Sequence, residues 1–191
     1  MPDDATATFT PTRDGQHRLD LEGAFTHPHW LAFLCGGLAA TGVSVVSGRA
    51  VRDAPMRWTG HFVVDASAAR TPLDSLDPVA LAGLRPAVRD TAVPRLTSFE
   101  VRRRADRRLE VRLEAPDELG FLGRLLSRIS LLTLLPSELE IHTVRGTVED
   151  RLVLGGIGGT PPSEEVLGPL EELLTGLTGP APLSALPGAP A

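Results

Sequence analysis

The sequence predicts an α+β protein made of two ferredoxin-like βαββαβ repeats, with antiparallel sheets and helices on one face. Three observations carry this expectation. Short segments alternate apolar and polar residues, which is the period of half-buried strands. Between them lie segments whose apolar residues recur at helical spacing. The series that begins at His17 starts again near Arg107.

In the first repeat, "HRLDLEGAF" alternates Leu19 and Leu21 with polar residues as a strand. A helix follows in "THPHWLAFLCGGLAATG", where Trp30, Leu34 and Leu38 form the stripe. Thr26 is the expected N-cap, Pro28 falls in the first turn and Gly42 marks the stop. "VSVVSGRAV" and "RWTGHFVVD" read as two strands joined by "RDAPM". A short helix opens at Asp77 and Pro78, and "RLTSFEVR" is the fourth strand.

The second repeat opens with "RRLEVRLE", where Leu109, Val111 and Leu113 face one side. After the acidic turn "APDELG", Phe121, Leu122, Leu125, Leu126 and Ile129 form one apolar stripe. "ELEIHTV" and "VEDRLVLGG" are strands, and "PSEEVLGPLEELLTGL" is a helix with Ser163 as cap. No fourth strand follows, so this sheet needs an edge from the first repeat or from a second copy of the chain. The expected organisation is a disordered tail over 1–16, repeat 1 over 17–104, repeat 2 over 105–176 and a disordered proline-rich tail over 177–191.

Composition narrows the function classes. With 42% apolar residues the chain can bury a real core. A net charge of -5 argues against nucleic acid, whose recognition needs clustered cations. The run "RRRADRR", Arg102 to Arg108, is read as a solvated hairpin, with an anion patch as its alternative. All 19 basic residues are arginine, and lysine and tyrosine are absent, so neither a Schiff-base lysine nor a tyrosine acid is available. No apolar run reaches the ~18 residues that span a bilayer, and the opening residues lack a secretory pattern. A cytoplasmic protein without membrane attachment is expected. The single cysteine, Cys35, is expected to pack in the core as an inert thiol.

The stretch "LEVRLEAPDELGFLGRLLSRI" followed by "ELEIHTVRGTVEDRLVL" resembles an ACT domain, most closely the tandem ACT domains that end the bifunctional uridylyltransferases of nitrogen sensing. The family pattern is an apolar strand, a D-R-P-G-L-L turn into a helix, a strand carrying I-x-T, and an Asp seven residues later. Here "DELGFL" covers Asp117 to Leu122, "IHT" covers Ile141 to Thr143, and Asp150 stands at the last position. The first repeat matches in order, but its turn reads "FTHPHW" without Asp-x-x-Gly.

The resemblance implies a stand-alone regulatory module that binds an amino acid or related small carboxylate at the strand-to-helix turn. The ligand-binding residues would be Asp117, Glu118, Leu119, Gly120, Phe121 and Leu122. A helix N-terminus there offers unpaired N–H groups to a carboxylate. The alternative is a structural joint in which Asp117 caps the helix. A homodimer is expected, with no cofactor and no metal.

A rival reading is a small enzyme using His27, His29 and His61 as acid–base residues beside Trp58. A third is a scaffold that pairs through its sheet edge with another enzyme. His142 is read as facing away from the apolar side of its strand, and "GGIGG", Gly155 to Gly159, as a flexible turn, since the spacing and Lys-Ser/Thr of a phosphate loop are missing.

Overall fold

The computed structural model describes residues 4–12, 15–85 and 93–179. Eight strands form one sheet: β1 Thr6–Pro11, β2 His17–Ala24, β3 Ser44–Ala54, β4 Arg57–Asp65, β5 Ser98–Arg103, β6 Leu109–Pro116, β7 Leu135–Val144 and β8 Thr147–Gly155. Four helices accompany them: α1 Trp30–Ala40, α2 Pro78–Gly83, α3 Phe121–Ile129 and α4 Leu167–Leu177. The strand order is β1-β2-β4-β3-β7-β8-β6-β5, and every neighbouring pair is antiparallel.

The α+β class and the antiparallel sheet agree with the sequence; the strand content of each half does not. The strand expected to close the first repeat, β5, pairs instead with β6 at the far edge. Its place beside β2 is taken by β1, which lies inside the segment expected to be a disordered tail. Each half therefore runs ββαββα, and the orders β1-β2-β4-β3 and β5-β6-β8-β7 are the same. The predicted need of the second half for a borrowed edge is met by β5.

Both corrections have a local cause. Thr6, Thr8 and Phe9 favour extended backbone, and Asp4 ties the start down by accepting from the Ala24 N–H at 2.9 Å and pairing with Arg57. At Leu96 and Thr97 the chain is fixed to the second half, where the Leu96 N–H donates to the Leu177 carbonyl at 3.0 Å and the Thr97 N–H to the Glu114 carbonyl at 2.8 Å. The proline-rich tail from residue 180 lies outside the described residues.

One face of the sheet carries the core. Leu19, Leu21, Phe62 and Ala50 of the first half, and Leu139, Ile141, Leu152 and Leu113 of the second, pack with the helices in a single cluster. The halves join where β3 pairs with β7 and where α1 crosses α3. A Cβ on Gly123 would stand 2.9 Å from the Gly36 N and 3.3 Å from the Ala32 carbonyl, so the crossing is as close as bare backbone allows.

The other face is polar. One row across the sheet reads Asp20, His61, Arg49, Glu140, Arg151, Arg112 and Glu100. Beside it Glu110, only 2% exposed, receives Arg102 at 2.6 Å and Arg112 and Arg151 at 3.0 Å. Burial opposes its ionisation, but hydrogen bonds from Arg151, Arg112 and Arg102 outweigh this and hold its carboxyl at about 2. The stabilisation is present above the unfolded value near 4.5 and is lost as pH falls through 2. Glu110→Gln is expected to cost about 2 kcal/mol at pH 7. In thermal melts its deficit should shrink between pH 4.5 and pH 2, and a constant deficit would mean that packing, not charge, is lost.

Candidate functional site

The turn before α3 departs from the expected capped joint. Gly120 is the residue that enters the helix, with φ 78, and no side chain caps the N-terminus. Asp117 is not the cap; its backbone N–H donates to the Gly146 carbonyl at 3.0 Å, tying the turn to the β7–β8 hairpin. Arg124 braces the turn from the helix, donating to the Leu119 carbonyl at 2.9 Å and to Glu118 Oε2 at 3.1 Å. Glycine suits position 120 because it takes a left-handed φ at no steric cost, whereas a residue with a Cβ pays about 1 kcal/mol there.

Behind this turn lies a narrow crevice with about 30 Å³ of interior room, widening to about 390 Å³ when its open mouth is counted. Asp117, Glu118, Gly120, Phe121 and Leu122 all border it; Leu119 does not, its side chain being 43% exposed outside. The first half supplies the opposite wall through Cys35, Ala39 and Val45. The crevice therefore straddles the joint between the halves.

Asp150 also lines the crevice. It is 3% exposed, and neither carboxylate oxygen makes a hydrogen bond. Burial raises its carboxyl to about 7 and the Asp117 carboxylate adds to the rise, while the nearby His142 backbone N–H favours the charged form without a hydrogen bond of normal geometry. Cys35 is pushed up to about 12, by burial first and by Asp150 second, so this thiol is an inert wall as expected. The sequence did carry a signal for Asp150: in "VEDRLVL" it shares strand parity with Val148, Leu152 and Leu154, which places a carboxylate on the apolar side.

The equivalent junction in the first half is filled. Trp30 stacks on Phe25 at 4.2 Å and meets Trp58 edge-on at 5.1 Å, leaving about 10 Å³ beside His29 and Pro136. Thr26 does not cap α1, whose entry residue is His29 without a side-chain cap.

The three histidines do not converge. His27 Nδ1 accepts from the His29 N–H at 3.1 Å, and their rings lie 5.5 Å apart at the start of α1. Burial, then His27 and Arg85, hold the His29 ring below the ordinary histidine range. His61 sits on the opposite, polar face of the sheet, where its Nδ1 is 2.7 Å from Asp20 Oδ1. Strand alternation turns Trp58, Gly60 and Phe62 inward and His61 out, which separates the proposed acid–base set. His142 is exposed on the same outer face.

The "RRRADRR" run is a hairpin whose Arg102 and Arg104 pair with Glu110. "GGIGG" is the end of β8 and a short turn, with the Arg52 guanidinium packed against Gly159. Among the described residues no group of three His, Cys, Asp or Glu side chains is arranged to hold a metal ion, and no helix is long and apolar enough to cross a membrane.

Fold and crevice together define the class: a tandem ββαββα protein with a largely apolar crevice at the joint of its halves, into which Asp150 faces. Compared with protein-family models, curated proteins and solved structures, the chain matches none.

Proposed function

We propose that this chain is a regulatory binding module that holds a small molecule, of the amino-acid class, at the turn before α3. The observation that carries the reading is Asp150, a buried carboxylate without a partner, facing a crevice whose other side is an uncapped helix N-terminus. Buried polar atoms are almost always paired, and an exception at a crevice is a place for a ligand atom. Five of the six turn residues singled out by the ACT resemblance border that crevice.

Because both halves form the walls, a bound ligand would clamp α1 against α3. The edges Thr6–Pro11 and Ser98–Arg103 are the surfaces through which a second copy or another protein would feel the change. The test is a thermal-shift screen against amino acids and small carboxylates. A ligand present at about a hundred times its Kd adds about 2.7 kcal/mol to the folded state, which a melt resolves readily. A flat screen at saturating concentrations would remove the reading.

A further inference from the structure

We propose that the group entering the crevice is a primary ammonium held by Asp150 and Asp117, so that the ligand is a small amine or an amino acid bound amino end first. This rests on the reading that a ligand binds at this turn, and it adds which end of the ligand goes in.

The ionisable side chains bordering the crevice are Asp150, Asp117, Glu118 and Cys35, and no arginine or histidine borders it. An incoming carboxylate would meet the buried, unpaired Asp150 carboxyl with Asp117 at the mouth, while Glu118 is exposed and already paired with Arg124 at 3.1 Å, so the inner end of the crevice is ill suited to an anion. An ammonium reverses the sign of the contacts with Asp150 and Asp117. It is compact, and its three donors match the two orphaned oxygens of Asp150 plus one oxygen of Asp117.

The interior room of about 30 Å³ is roughly two to three times the ~10–15 Å³ that a single water needs, so it takes a small head group rather than a whole molecule. The remainder of the ligand lies in the mouth, where the uncapped start of α3 can receive a carboxylate if the ligand has one. The other deeply buried acid, Glu110, shows what this fold does with a carboxylate that needs no ligand: it surrounds it with four arginines, Arg102, Arg104, Arg112 and Arg151. Asp150 has no such company.

The test measures the melting temperature of the full chain at pH 8 and constant ionic strength with methylammonium, glycinamide, N-acetylglycine or potassium chloride. Methylammonium and glycinamide should raise it, whereas N-acetylglycine and potassium should not. Asp150→Asn should weaken glycinamide binding by about tenfold or more, with Asp117→Asn, on the exposed turn, intermediate. A response to N-acetylglycine without one to glycinamide overturns the amino-end assignment while leaving a ligand at the turn. An equal response to potassium, or undiminished binding in Asp150→Asn, also overturns it. Silence toward every probe overturns this inference, and the screen of intact amino acids decides separately whether a ligand binds at the turn.

Discussion

Asp150→Asn is expected to stabilise the ligand-free protein by about 4 kcal/mol at pH 8 and to change nothing measurable at pH 4. The sign follows from the direction of the shift. An aspartate raised from 3.8 to about 7 binds its proton more tightly in the folded chain than in the unfolded one. Between those two values the folded state holds the extra proton, so stability falls as pH rises. Above pH 7 the full penalty is present, and at about 1.4 kcal/mol per pH unit it amounts to about 4 kcal/mol. Asparagine keeps the shape of the protonated acid and cannot ionise, so it escapes the penalty. The groups facing Asp150 are Asp117 and Glu118 from the turn, Cys35 from α1 and the His142 N–H from β7, and none of them supplies a counter-charge. For a chain of this size the gain corresponds to a melting temperature about 10 °C higher at pH 8. Melts of both proteins from pH 4 to pH 8 should diverge steadily. Parallel curves would mean that the carboxylate is solvated and charged throughout, and that the crevice has no unmet need.

The second large effect is expected at the crossing of α1 and α3. Gly123→Leu should destabilise the protein by about 3 kcal/mol, with Gly123→Ala costing less. The smallest added atom already meets the Gly36 backbone at 2.9 Å and the Ala32 carbonyl at 3.3 Å, and neither is a flexible side chain that can step aside. The helices must separate, and with them the two walls of the crevice, because Gly123 and Leu122 stand on one wall while Cys35 and Ala39 stand on the other. Gly123→Leu should therefore lose any thermal response to glycinamide even where it remains folded by circular dichroism. Urea titration gives the stability, and a variant as stable as the parent would show that the crossing has slack.

Most elements were legible in the sequence because the signals that define them are local. Alternation in "LEVRLE" and "ELEIHTV" marked strands, and the stripe from Phe121 to Ile129 marked α3, since burial on one side imposes a fixed period on each. Asp77 and Pro78 marked the start of α2, where Asp77 accepts from the N–H groups of Val79 and Ala80 at 3.0 Å. The turn residues Asp117 to Leu122 were singled out by resemblance, and five of them do border the crevice. The capping role of Asp117 was misjudged, because an Asp four residues before a helix reads as a cap unless Gly120 is seen to take the left-handed step.

What the sequence determined by itself was most of the alphabet of the protein: which segments other than β1 are strands or helices, which side of each is apolar, and that a similar pattern occurs twice. Only the tertiary structure decided how strands were shared, placing β1 beside β2 and β5 beside β6, because strand pairing is a choice among distant partners with similar local character. It also decided the fate of the polar residues, turning His61 away from His27 and His29 and sealing Asp150 behind α3. A side chain's environment is set by what folds against it, and that comes from parts of the chain too far away in sequence for any local pattern to record.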